Sequence, residues 1–239
     1  MINQYSSNYS AKSSANFDNF IAIDSNQAAK STAIEFALKQ TSYNVLGISS
    51  SIGNGATHLA LAILNEIEKK DRTKEIYYSS FERLAYNNSS INELTVFNTD
   101  FLNSKSLILI DSFYETSNKI FFNQFFDVLK DIKTKIIFTY NQGKKIPIIK
   151  NEIHLTRPTK MEKEIIIKNL LKSEKINFSL EIINYISDQN NYSVREIEGL
   201  VICVLASSVL DKRKPDIEFV KKINNKMIIN NHKNRIIAK

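Results

Sequence analysis

At 239 residues, 43 % of them apolar, the chain is long enough to bury a sizeable core as one large domain or a large domain plus a small one. Its 32 Lys and Arg against 25 Asp and Glu give a net charge of +7, which suits an acidic partner such as DNA or another protein without requiring one. A single cysteine, Cys203, excludes an internal disulfide and a cysteine-based zinc site, and no segment has the apolar length needed to span a bilayer. The Ser/Asn-rich stretch from Met1 to Ala15 lacks the apolar core of a secretory signal, so the cytoplasm is the expected location. Gly and Pro are scarce while Ile, Asn and Lys are heavy, the bias of an AT-rich genome, so many Asn and Lys positions carry little functional meaning.

Residues 1–15 are expected to be disordered. Ser25 to Gln40 reads as a helix, Asn44 to Ser49 as a short apolar strand, and Thr57 to Lys69 as a helix with Leu59, Ile63 and Ile67 four apart. Strand-like runs recur at Glu75–Ser79, Ser106–Asp111 and Lys135–Tyr140, with a weaker fifth at Glu152–Leu155; Phe-rich Ile120–Ile132 has helical spacing. Continuously apolar strands separated by helices predict an α/β domain, a parallel sheet covered on both faces, over residues 16–157. After Pro158 the strand signal ends. Lys160–Glu174, Leu180–Gln189 and Val194–Leu210 read as helices, with a short one from Pro215-Asp216 through Phe219 to Ile223, giving a small all-helical domain at 158–225. Cys203 lies in the apolar run Leu200–Leu205 and reads as a buried small hydrophobe. Residues 226–239 read as a basic tail: from Lys221 to Lys239 there are six basic residues and no acid, either a solvated tail or a weak DNA-backbone contact.

Between the first strand and its helix lies Ser50-Ser51-Ile52-Gly53-Asn54-Gly55-Ala56-Thr57. A phosphate-binding loop needs small residues there, so that successive backbone N–H groups converge on an anion at the helix N-terminus. The usual form is G-x-x-x-x-G-K-[ST]. Here Gly55 and Thr57 fit, Ser50 stands for the first glycine and Ala56 for the lysine. The same residues also suit an ordinary strand-to-helix turn. Asp111 ends the apolar run Leu107–Ile110, where an acid could hold Mg²⁺ or simply cap a turn. The histidines His58, His154 and His232 are scattered along the chain, which gives no support to a metalloenzyme or a Ser/His/Asp hydrolase; His58 is expected to pack at the loop–helix junction.

Taken in order, these pieces resemble the AAA+ module of the bacterial replication initiator DnaA family. Phe17-Asp18-Asn19-Phe20-Ile21 with Ser25-Asn26 looks like its opening. Ile52-Gly53-Asn54-Gly55-Ala56-Thr57-His58-Leu59 is similar to V-G-L-G-K-T-H-L, and Leu107–Asp111 to the Walker B strand. Thr139-Tyr140-Asn141 sits where the family has sensor I. Ser193-Val194-Arg195-Glu196-Ile197-Glu198-Gly199 is close to N-V-R-E-L-E-G, whose arginine is sensor II. The resemblance covers about Asn16 to Asn224. It implies a P-loop AAA+ sheet followed by a helical lid, with Gly53, Asn54, Gly55, Ala56, Thr57, His58, Asp111, Asn141 and Arg195 toward ADP or ATP, and Thr57 and Asp111 toward Mg²⁺. Arg195 lies opposite the apolar stripe Ile197, Leu200, Val201, Val204 and Leu205, free to reach outward.

The family's DNA-reading helix-turn-helix is not expected after Asn224, and the length is similar to that of the short Hda-type relatives, which work with the sliding clamp to inactivate the initiator. Three departures imply lost catalysis. Ala56 removes the lysine, and Ser112 replaces the second acid that polarises water. Gly143–Thr156 holds no arginine for the family's arginine finger, Arg157 being the nearest. The clamp motif is not recognisable either, Gln4-Tyr5 being its only echo. The resulting expectation is a catalytically inactive regulator of replication initiation that contacts a partner AAA+ protein, the initiator. The alternatives are a non-hydrolysing ADP/ATP switch and a DNA-binding accessory.

Overall fold

The computed structural model describes residues 14–38, 40–87, 99–114, 119–130, 132–143, 146–172, 174 and 176–237. The chain divides into two compact units, residues 1–156 and 157–239.

The first unit runs α1 (Asp24–Ala37), β1 (Val45–Ser50), α2 (Ala56–Lys70), β2 (Ile76–Ser80), α3 (Phe81–Asn87), α4 (Thr99–Ser104), β3 (Leu107–Phe113), α5 (Lys119–Lys130), β4 (Lys135–Asn141) and β5 (Glu152–Leu155). The five strands form one sheet in the order β2-β3-β4-β1-β5, and every pairing is parallel. Parallel strands need crossovers that cover both faces, which is why the strands read as unbroken apolar runs. On one face Leu46, Ile48, Leu107, Leu109, Ile137, Ile153 and Leu155 pack against Ala33 and Phe36 of α1 and Leu59, Ala60 and Ile63 of α2. On the other, Ile108, Ile110, Ile136, Phe138 and Tyr140 meet Phe81 and Leu84 of α3 and Phe125, Phe126 and Leu129 of α5. Lys135 ties β4 to α1: its ammonium lies 4.1 Å from the centre of the Phe36 ring and donates to the Phe36 carbonyl at 2.8 Å.

The short helices α3 and α4 carry no sequence periodicity that would announce them. Within the stretch expected to be disordered, residues 1–13 lie outside the described residues, but Ala15 is buried and its carbonyl accepts from Asn65 of α2 at 2.5 Å.

The second unit contains α6 (Lys160–Leu171), α7 (Leu180–Ser187), α8 (Val194–Leu210) and α9 (Ile217–Ile237). Thr159, Ser179 and Ser193 cap the first three, accepting from the N–H groups of Glu162, Ile182 and Glu196. Glu162 and Glu196 reach back to the capping residues' own amides, completing two capping boxes. Ile166, Ile167, Ile182, Ile186, Ile197, Leu200, Val204 and Val220 form the interior. Lys163 is almost fully buried, its ammonium donating to the Gln189 carbonyl just past α7 at 2.6 Å; burial, then the nearby charge of Arg157, lowers its basicity. Buried Asn224 links Tyr185 to Tyr192, so α9 is pinned in its first half.

Two features of this unit depart from what the sequence leads one to expect. The last helix does not stop near Ile223: its backbone continues to Ile237, so most of the stretch read as a tail, 226–239, is helical. Neither Gly nor Pro interrupts the sequence after Pro215, and nothing there breaks an i to i+4 ladder. Cys203 is half-buried, not part of the closed interior.

Candidate functional site

β1 ends at Ser50 and α2 begins at Ala56, so the loop between them lies at the C-terminal edge of a parallel sheet, where ligands of open α/β sheets bind. Two glycines shape it: Gly53 at φ +83° and Gly55 at φ +97°, both in the left-handed region that side chains disfavour. Gly55 is the N-cap of α2, and a Cβ there would also lie 3.2 Å from the Phe20 ring. α2 therefore starts without a side-chain cap and with no acid in its first turn. Buried Asn54 braces the loop, its amide donating to the Ser51 hydroxyl at 2.7 Å and the Ser51 carbonyl at 3.2 Å. Ala56 is 8 % exposed and supplies no charge.

Behind the loop three side chains meet. The Asp111 Oδ1 accepts from the Thr57 hydroxyl at 2.9 Å and from the Thr139 hydroxyl at 2.5 Å. Thr139 Oγ1 in turn accepts the backbone N–H of Ser112 at 2.8 Å. Ser112 has φ +58° and sits in a register shift between β3 and β4, so the strand bulges directly after the acid. Its side chain is exposed while Asp111 is buried. The carboxylate and the hydroxyl of Thr57 are hard oxygen donors at the loop, a set that suits Mg²⁺. In the sequence Thr139 stands only as the first residue of the sensor I-like segment, without a role of its own; a hydroxyl directly after the apolar run Ile136–Phe138 was the signal available.

Asn141 is exposed at the end of β4, in register with Ser50, and the next residue, Gln142, donates its amide to the Ser50 carbonyl at 3.0 Å. The structure thus brings Gly53, Asn54, Gly55, Ala56 and Thr57 together with Asp111, and sets Asn141 beside the start of the loop. His58 turns the other way: its Nε2 lies 3.0 Å from the Asn19 side-chain oxygen and 3.3 Å from the Asn16 carbonyl, and its ring meets Phe20 edge-on at 5.5 Å. It locks the Asn16–Phe20 turn onto α2. Arg195 is exposed in the first turn of α8, in the helical unit. Arg157 is the exposed first residue of that unit. Gln4 and Tyr5 lie outside the described residues, as does the side chain of His232.

The histidines are not all isolated. His154 Nδ1 lies 2.6 Å from the Ser49 hydroxyl and its Nε2 lies 3.3 Å from Glu152. The composition is that of a hydrolase triad, but Ser49 has no exposed surface, so no substrate carbonyl can approach its oxygen. Among the described residues no group of three or more metal-ligating His, Cys, Asp or Glu side chains occurs, and no helix is long and apolar enough to cross a membrane.

Residues 11–165 match the family model described as the bacterial DnaA ATPase domain. The chain belongs to the DnaA family. It is 29 % identical to the chromosomal replication initiator protein DnaA of Flavobacterium psychrophilum across 95 % of this chain and 50 % of that protein. The chain thus spans about half the length of the curated relatives it matches. Among solved structures it is similar to domain III of Thermotoga maritima DnaA, with a TM-score of 0.70 and 20 % identity over 89 % of this chain and 96 % of that one. It is also similar to AMPPCP-bound DnaA from Aquifex aeolicus, with a TM-score of 0.66 and 24 % identity over 83 % and 66 %. The α/β unit and the helical unit therefore have the AAA+ architecture of the DnaA family.

Proposed function

We propose that this DnaA-family protein regulates replication initiation by contact with a partner AAA+ protein, the initiator itself, and does not turn over ATP. One juxtaposition carries the reading. The loop glycines and the Thr57–Asp111–Thr139 cluster are kept, while Ala56 and Ser112 occupy the positions of the lysine and the second acid. The remaining groups suit binding. The N–H groups at the start of α2 would hold a phosphate, and Thr57 and Asp111 would hold Mg²⁺, which supplies charge neutralisation between phosphates when bound. Turnover lacks its parts. A methyl at position 56 cannot neutralise charge developing on the outer phosphate, and a serine hydroxyl at 112 cannot polarise an attacking water. The AMPPCP bound to the Aquifex aeolicus relative supports ADP or ATP as the ligand.

The partner claim is tested by mixing the chain with the initiator of the same organism in ADP and in ATP and following complex formation by analytical ultracentrifugation. A complex that survives Asp111→Asn supports contact without catalysis. Absence of a complex in either nucleotide contradicts it.

A second reading, DNA contact, has its own observation. Residues 212–239 hold nine Lys and Arg against two acids, and the backbone there is helical from Ile217 to Ile237. Such a helix would follow phosphates without reading bases, so its affinity should fall roughly 10³-fold or more between 50 and 200 mM salt if some six phosphates are contacted. Salt-independent binding, or none, removes this reading.

A further inference from the structure

On the sheet face away from α1 and α2, a polar chain crosses three strands. It begins at Tyr140 on β4, whose hydroxyl donates to Glu152 Oε1 on β5 at 2.5 Å. The other carboxylate oxygen, Glu152 Oε2, lies 3.3 Å from His154 Nε2, and the opposite ring nitrogen lies 2.6 Å from the Ser49 hydroxyl on β1. Registers explain the meeting of residues 105 apart in sequence. Ser49 pairs with both Tyr140 and His154, and Gly47 pairs with Glu152, so all these positions share one face.

Tyr140 can reach Glu152 only by passing over β1, and it passes at Gly47. A Cβ on Gly47 would fall 2.7 Å from the Tyr140 hydroxyl and 2.7 Å from Ile149 Cγ2, so the missing side chain is what opens the route. Burial of the phenol, followed by its bond to Glu152 and the charge of that carboxylate, holds Tyr140 well above the usual tyrosine range, hence as a permanent donor. The network is built at both ends: Ser49 and Tyr140 are buried, while Glu152 and His154 face outward from the edge strand.

The position of these strands gives the network a consequence. β1 runs straight into the loop at Ser50, β4 ends at Asn141, and β5 ends one residue before the boundary between the two units at Thr156 and Arg157. β5 is an edge strand of four residues, held in the sheet by β1 alone. We propose that Ser49, Tyr140, Glu152 and His154 form a latch that couples the candidate phosphate loop to the linker between the units. Opening the latch at β5 loosens the C-terminal end of β1, and with it the loop; closing it fixes both. The coupling does not rest on nucleotide binding and is read in ligand-free protein.

Hydrogen–deuterium exchange on the full chain tests it, comparing the natural protein with His154→Phe, which removes both ring-nitrogen bonds at an exposed site, and Tyr140→Phe, which removes only the hydroxyl. The latch requires peptides covering 45–57 and 152–160 to exchange faster together, about fivefold or more, while peptides of β3 keep their rate. Ser49→Ala, which cuts the chain from the β1 side, must accelerate 152–160 in the same way. Acceleration confined to 152–160 in the histidine variant overturns the proposal, because β5 would then move without the loop. So does equal acceleration everywhere, the signature of global destabilisation, and so does no change.

Discussion

The Thr57–Asp111–Thr139 cluster makes unequal demands on its two hydroxyls, and Thr139→Val exposes the difference. Thr139 is 2 % exposed and serves twice, donating to Asp111 at 2.5 Å and accepting the Ser112 amide at 2.8 Å. Loss of a hydrogen bond to a buried carboxylate costs about 1.5–3 kcal/mol; the Ser112 amide adds little where water reaches it, for a total of about 2–3 kcal/mol. Thr57→Val removes one bond to the same oxygen from a half-buried position that water can refill, at about 1 kcal/mol. The chain has no tryptophan, so urea unfolding of the ligand-free protein is best followed by far-ultraviolet circular dichroism. With a slope near 2 kcal/mol/M, Thr139→Val should lower the midpoint of the α/β unit by about 1–1.5 M at unchanged slope, and Thr57→Val by about 0.5 M. Equal effects, or a larger effect at Thr57, would refute the claim that Thr139 organises the acid.

Ala56→Lys restores the missing charge at the loop and should tighten ADP and ATP by about 2–3 kcal/mol, roughly 30- to 150-fold, in calorimetric titrations with Mg²⁺. No gain would mean the loop does not face a phosphate. At alkaline pH, the raised Tyr140 phenol contributes stability that is fully present below the ordinary tyrosine value, about 10, and is lost as pH rises beyond it. Tyr140→Phe should therefore cost about 1 kcal/mol at neutral pH and flatten the fall in stability above pH of about 10, without abolishing it, since Tyr43, Tyr77 and Tyr192 are raised as well. An unchanged alkaline slope in that variant would contradict the shift at Tyr140.

The long elements were legible because burial leaves a mark in sequence. Leu107–Ile110 and Ile136–Phe138 are covered on both faces and read as strands. Gly53, Gly55, Thr57 and Asp111 could be singled out from the order strand, small residues, helix, strand. The rest depended on register. Nothing local says that Thr139 faces Asp111, that a bulge follows the acid, or that Ser49 and His154 are neighbours, because each is a consequence of how parallel strands align across crossovers. Asn54 as a brace was hidden for another reason: in a chain so rich in Asn, one more carries no signal until its amide is seen folded onto Ser51. α9 was underestimated because Lys and Asn dilute its apolar stripe, although no breaker stands after Pro215.

On the proposed reading a DnaA-family fold is kept without the chemistry of turnover, and ATP hydrolysis by the purified chain with Mg²⁺ puts that to the test. Phosphate release should be no faster than the buffer background, in the natural protein and in Asp111→Asn alike. Release above background that Asp111→Asn abolishes would contradict it, and would assign to other groups the work that Ala56 and Ser112 cannot do.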